Sequence, residues 1–287
     1  MNYLKRQGAQ VKLLRYLITC LGIPMICSAA TGQLLPVVRQ WDFEGDSDFD
    51  PTQWLFVAPT PLGVNQAVAS HVISTGEGRW IWSIESPNEV LVGVNHSIEL
   101  TDSLVETQFD FVGSGGGISM GFLNRFGTVP NPIDPDVNAP LAHGYCTLVS
   151  PQTITLIDFD FARDPSDYVR VLGQVPTPEN LFTGQATTVS FQTINRPSAA
   201  DPSIELPTFD FWLDGTHVFE AIEDPNASWA AGYSGVDVWT VDPMAAMTAE
   251  SLLVKYDSLV ISGVPEPGSL AMWAVGLLTM PIVCRRR

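Results

Sequence analysis

The chain is poor in cations, in cysteine, in helical periodicity and in apolar runs of membrane length, and each shortage excludes something. Its 287 residues hold 14 Lys and Arg against 31 Asp and Glu. Four of the cations precede residue 31 and three close the chain, so the stretch between carries seven cations against thirty carboxylates, a net −23. Such a field repels phosphate backbones and anionic headgroups, which excludes nucleic acid as a partner. Of the four cysteines, Cys20 and Cys27 lie in the N-terminal apolar stretch and Cys284 near the C-terminus, leaving only Cys146 in the body. A disulfide within the body is thereby excluded. Stability must come from a hydrophobic core, and about 230 residues suffice to bury one as a single β domain. Cys146 itself reads as a small core residue rather than a nucleophile. The histidines His71, His96, His143 and His217 show no paired metal spacing, and His143 with Cys146 falls short of a four-ligand zinc site.

What is present begins with the two ends. Lys5, Arg6, Lys12 and Arg15 form a positive leader, residues 16–27 an apolar core, and Ser28, Ala29 and Ala30 a small-residue cleavage site. That is the layout of a secretory signal peptide over residues 1–30, which a Sec translocon and a signal peptidase would handle. Leu17-Ile18-Thr19-Cys20 has Thr where a lipoprotein box wants Gly or Ala. At the other end Val264-Pro265-Glu266-Pro267 is followed by an apolar stretch over 269–283, Cys284 and then Arg285, Arg286 and Arg287. Fifteen helical residues reach ~22 Å against a hydrocarbon core of ~30 Å, and Gly276 and Pro281 weaken the helix further. The arginines would stay on the cytoplasmic side. This is a poor permanent anchor and a good temporary one.

The tail resembles the PEP-CTERM sorting signal of bacterial exported proteins, in which a motif, a short transmembrane helix and an Arg cluster occur in that order. The resemblance covers only residues 264–287. It implies a membrane-embedded, exosortase-like transpeptidase as partner, processing at the tripeptide, and delivery to the cell surface or extracellular matrix after transient inner-membrane anchoring. An ordinary tail anchor would leave Pro265, Glu266 and Pro267 as a linker.

Between the ends, over residues 31–263, the apolar period is two. Residues 103–112, 153–161, 187–192 and 209–213 all alternate apolar with polar, with Gly, Pro, Asn and Asp between them, as strands with one buried face do. The triplet Phe-Asp-Phe at Phe109, Phe159 and Phe209 recurs without its flanks, so it reads as alternation rather than duplication. Only residues 243–252 look helical. Many strands without interleaved helices predict an all-β, antiparallel sandwich. Asp214-Gly215 between two alternating runs is a strong hairpin signal. Residues 211–219 are similar to a hairpin of laminin-G-like and concanavalin A-like jelly rolls, residues 252–262 look like the closing strand of that family, and residues 41–45 like the first strand that pairs with it. The resemblance implies a single jelly-roll domain.

Candidate chemistry is sparse. Gly117-Ile118-Ser119-Met120-Gly121 matches a nucleophile elbow, but the Gly- and Pro-rich residues 122–132 cannot form the helix that such an elbow needs. Residues 113–117 lack the Lys and Ser/Thr of a phosphate loop. Glu44-Gly45-Asp46-Ser47-Asp48 is similar to the Glu-x-Asp-x-x-Glu strand of laminarinase-type glucanases, yet Phe49 stands where the last Glu belongs. Asp46, Asp48 and Asp50 have the alternate spacing of a calcium loop, with Pro51 and Val57 in place of its Gly and Glu. Calcium is therefore the one cofactor the sequence admits, and a solvated acidic loop has the same pattern. Trp80 and Trp82 fall on one face of a strand, suited to a sugar ring or to a core. Asn95-His96-Ser97 and Asn226-Ala227-Ser228 are sequons. The sequence thus predicts an exported, non-catalytic binding or scaffold sandwich, associated with extracellular polysaccharide, with a secreted glycosidase or lyase of the same fold as the competing class.

Overall fold

The computed structural model describes residues 35–43, 54–60, 63–66, 71–74, 79–84, 90–112, 118–129, 140–179, 181, 186–240 and 252–265. They form fifteen strands. In chain order these are β1 Val37–Trp41, β2 Trp54–Thr60, β3 Gly63–Gln66, β4 His71–Ser74, β5 Arg79–Ile84, β6 Val90–Val112, β7 Ile118–Val129, β8 Leu141–Val149, β9 Thr153–Asp160, β10 Val169–Pro176, β11 Thr187–Pro197, β12 Glu205–Leu213, β13 Thr216–Glu223, β14 Gly232–Thr240 and β15 Leu252–Pro265. One 3₁₀ turn, Pro165–Asp167, interrupts them. Every pairing among the described residues is antiparallel. No helix among them is long and apolar enough to cross a membrane.

The 23-residue β6 organises the fold, because its two halves have different neighbours. Asn95 is flanked by Ser234 of β14 and Trp54 of β2, whereas Val105 is flanked by Phe191 of β11 and Ile261 of β15. One layer therefore runs β10-β9-β8-β7-β14-β6-β2-β3 and the other β13-β12-β11-β6-β15. The far edge of β15 is shared by β5, along residues 252–256, and β1, along 259–262. The layers face each other: Asn124 of β7 donates across to Phe191 O and Thr193 Oγ1 of β11 at 3.2 and 3.0 Å.

Alternation fills the space between them. Phe209, Phe211 and Leu213 of β12 point inward with Phe191 of β11, Phe109 of β6, and Phe122 and Tyr145 of the opposite layer. Phe122 sits 6.0 Å from both Phe109 and Phe211, and Tyr145 4.6 Å from Phe209. Each such ring contributes about 2–3 kcal/mol by leaving water. A second cluster, including Leu123, Phe126, Cys146, Ile157 and Phe159, covers the other face of β7, β8 and β9. These strands are buried on both faces, whereas the alternating pattern predicts one.

The jelly-roll sandwich and the hairpin are as the sequence predicts. Asp214 and Gly215 have φ of 47° and 74°, the two left-handed residues of a type I′ turn. A side chain at Gly215 would meet nothing within 4 Å, so the backbone angle is what favours glycine there. The first strand is a correction. It spans Val37–Trp41 instead of 41–45, and Phe43, with φ of 55°, has already left the sheet and is buried in the core. The last strand continues to Pro265, two residues past the boundary expected at 263. Residues 243–251 lie outside the described residues, and Leu252 opens β15.

Candidate functional site

The register of β8, β9 and β10 sets His143 opposite Asp160, Tyr145 opposite Asp158, and Arg170 opposite Asp158. Strand alternation turns these five side chains toward the other layer, at one end of the sandwich, while Cys146, Ile157 and Phe159 turn away. Two turns close over them. After β9, the Asp164 carboxylate accepts from Ser166 N at 3.0 Å and caps the 3₁₀ turn, and Arg163 is folded back over the strand end. Between β13 and β14, Asp224 Oδ1 accepts from Asn226 N at 3.0 Å and Oδ2 from Ser228 N at 3.2 Å, with Ala227 left-handed at φ 46°.

Asp158, with no exposed side-chain surface, is the hub. Arg163 Nη2 lies 3.1 and 2.8 Å from its two oxygens. Trp229 Nε1 donates to Oδ1 at 3.1 Å and Ser228 Oγ to Oδ2 at 3.2 Å. Arg170 Nη2 adds a further contact to Oδ2, and both arginines also donate to Ser228 Oγ. Arg163 Nε lies 3.2 Å from Asp160 Oδ2, so this one guanidinium is wedged between the two carboxylates. The Tyr145 hydroxyl donates to Asp224 at 2.8 Å, and burial together with that carboxylate pushes its pKa up. His143 stacks on Trp229 at 3.7 Å, and burial holds its pKa down to about 4 despite Asp160 and Asp158, so the ring is neutral near pH 7.

Two further enclosed networks centre on Arg125 and Asp210. Arg125, fully enclosed at a β7 bulge with φ of 54°, donates to Thr101 O at 2.6 Å, Trp229 O at 2.6 Å and Asn195 Oδ1 at 2.9 Å, with Asp102 at 3.9 Å. Burial lowers its pKa, yet it ties the bend of β6 to β11 and to the Trp229 loop. On the second layer Asp210 accepts from Arg196 at 2.6 Å and from Ala221 N at 2.9 Å, with His217 Nε2 at 3.3 Å. His217 stacks on Trp212 at 4.6 Å.

The residues singled out by sequence are scattered. Asp46, Asp48 and Asp50, with Glu44, lie outside the described residues, as do Glu266, Pro267, Arg285, Arg286 and Arg287. Among the described residues no three His, Cys, Asp or Glu are grouped to hold a metal ion. Trp80 and Trp82 belong to β5, opposite Tyr256 and Val254, and their side chains are outside the described set. Ser119 is a buried residue of β7 with no strand-to-helix turn after it, which removes the elbow. Cys146 is fully buried, its thiol 3.4 Å from Asp237 and pushed up in pKa by burial and that carboxylate. His143 and Cys146 face opposite sides of β8, so they share no site. Asn95 is buried, whereas Asn226 is exposed on its turn.

Sequence reasoning missed Asp158, Arg163, Arg170, Ser228, Trp229 and Arg125. A signal existed. Asp164-Pro165, Asp201-Pro202 and Asp224-Pro225 each precede a residue whose backbone N–H bonds back to the Asp carboxylate, at 3.0 Å in all three cases. Proline pre-sets the turn, and two of these turns frame the hub.

Compared with family models and with curated proteins, the chain matches none. Several solved structures are similar to it. A GlcNAcα1-4Gal-releasing endo-β-galactosidase from Clostridium perfringens aligns with TM-score 0.52 at 11% identity, covering 83% of this chain and 65% of that one. A protein of unknown function with a galectin-like fold from Bacillus subtilis aligns with TM-score 0.49 at 10% identity, covering 79% and 96%. A laminarinase from Flavobacterium sp. UMI-01 aligns with TM-score 0.47 at 11% identity, covering 79% and 99%. At such identity the first of these likenesses establishes one thing: the chain has the fold of a jelly-roll sandwich.

Proposed function

We propose that this is an exported surface or matrix protein whose sandwich binds polysaccharide without cleaving it. The observation that carries the reading is the state of the paired carboxylates. Asp158 and Asp160 stand two apart on one strand face, the arrangement a two-carboxylate glycosidase would need. Arg163 bridges them, and the oxygens of Asp158 are taken by two arginines, a serine and an indole. An acid and a nucleophile must reach a substrate and exchange protons or bonds with it. A fully buried carboxylate with every approach occupied serves structure instead. Asp210 and Asp224 are engaged in the same way. The body charge of −23 favours neutral glycans over acidic ones.

The tail supports export and sorting by an exosortase-like membrane enzyme. Replacing Pro265, Glu266 and Pro267 by Ala is expected to leave export intact and hold full-length protein in the membrane. Unaltered shortening and release of that variant would remove the sorting reading. Binding is tested on a glycan array with residues 31–265, the span that keeps β15 whole. Retention of neutral polysaccharides is expected, and no retention of any glycan would overturn the assignment.

A further inference from the structure

The order of the closing strand and the tail has a geometric consequence. Val264 and Pro265, the first half of the motif, are still in the sheet. They are registered against Asp102 and Leu100 of β6, and Thr101 Oγ1 donates to Val264 O at 3.2 Å. One residue earlier, Gly263 N donates to Pro36 O at 2.9 Å, so the described chain enters and leaves at the same end of the sandwich. Strand β15 cannot be drawn out from this end cheaply. It is bonded to β6 along one edge and to β1 and β5 along the other, in the middle of its layer.

Only residues 266–268 separate Pro265 from the apolar stretch that starts at Ser269. Four extended steps reach at most ~14 Å. The polar layer on each side of a bilayer is itself roughly 5–8 Å deep. With residues 269–283 in hydrocarbon, as the sorting-signal reading requires, the three residues between Pro265 and that stretch hold the end of the sandwich carrying Pro36, Thr101 and Val264 close to the headgroups.

Resting on the sorting-signal reading of the tail, we infer that the folded sandwich fixes where processing occurs: β6 withholds Val264 and Pro265, and a membrane enzyme engages the chain only from Glu266 onward. The released body then keeps Pro265 at or next to its end, with β15 complete. Cleavage further upstream requires the strand end to open first, which makes folding a gate on the N-terminal side of the signal.

The test uses the full chain in detergent and a proline-specific endoprotease, whose two bonds within the motif are Pro265–Glu266 and Pro267–Gly268. Mass spectrometry of the C-terminal fragments reads both rates. Cleavage after Pro265 is expected to be at least about tenfold slower than after Pro267, because it needs the paired residues to leave the sheet. Inserting Gly-Ser-Gly-Ser between Gly263 and Val264 moves the motif off the strand and is expected to bring the two rates together, with an unchanged melting temperature showing that the body still folds. Equal rates in the parent, or continued protection of Pro265 after the insertion, would overturn the inference. The alanine replacement of the tripeptide in cells addresses the sorting reading separately, and its failure leaves the protease result untouched.

Discussion

Two buried charges, Arg125 and Asp158, are enclosed to the same degree and held by opposite means. Arg125 meets mainly neutral acceptors: two backbone carbonyls and an amide oxygen, with its nearest carboxylate at 3.9 Å. Asp158 is met by two guanidinium groups whose side chains keep 17% and 23% of their surface exposed. The arginine thus fastens three segments from inside the fold, two through backbone carbonyls and one through the Asn195 side-chain amide. The carboxylate fastens side chains that can swing out to water. Removing either breaks a network, but only the first leaves its partners with no alternative donor.

That contrast can be broken in order of expected effect. Arg125→Met should cost about 3–5 kcal/mol in denaturant unfolding, since it removes the donors of a buried cluster while keeping volume. A loss below about 1 kcal/mol would mean that the Thr101 and Trp229 carbonyls find other partners. Acid comes next. His143 is neutral in the fold, with a pKa of about 4 against 6.5 when unfolded. Its contribution is complete above pH 6.5 and is lost as pH falls toward 4, by up to about 3 kcal/mol. Hydrogen bonds also keep Asp224 below its ordinary pKa against the cost of burial, and that contribution fades lower still. His143→Phe, which keeps a ring against Trp229, should flatten the melting-temperature profile between pH 7 and 4; an unchanged profile would exonerate His143.

Asp158→Asn should cost about 2–3 kcal/mol, less than the Arg125 change because Arg163 and Arg170 are partly exposed and recover hydration. Losses reversed in size would invert the comparison. The smallest effect belongs to Arg196→Ala, whose side chain is a third exposed at 33%. It should lose about 0.5 kcal/mol, and a loss above 2 kcal/mol would place Arg196 among the structural pins.

The same contrast separates what was legible in the sequence from what was not. The strand β12 and its turn could be read because alternation and Asp214-Gly215 are local signals, each set by residues within a few positions. The first strand was misplaced because Trp41 is equally apolar whether it ends a strand or begins one, and Phe43 is buried without belonging to the sheet. Burial on both faces of β8 hides its pattern, since Tyr145 and Cys146 are both enclosed. The Asp158 hub was illegible because its members come from positions 143 to 229, brought together by register and by two turns. Scarcity was the available clue. With only seven cations among thirty carboxylates in the body, an arginine is more valuable inside than on the surface, and Arg125, Arg163, Arg170 and Arg196 all contact enclosed acceptors.

The claim that the sandwich binds and does not cleave is tested most directly by incubating the body with a polysaccharide that it retains and following the glycan itself. Retention with no new reducing ends and no rise in ultraviolet absorbance from unsaturated sugars is the predicted result. New reducing ends, or unsaturated products, at a rate abolished by Asp158→Asn or Asp160→Asn would contradict it, and would make the Arg163-bridged pair catalytic.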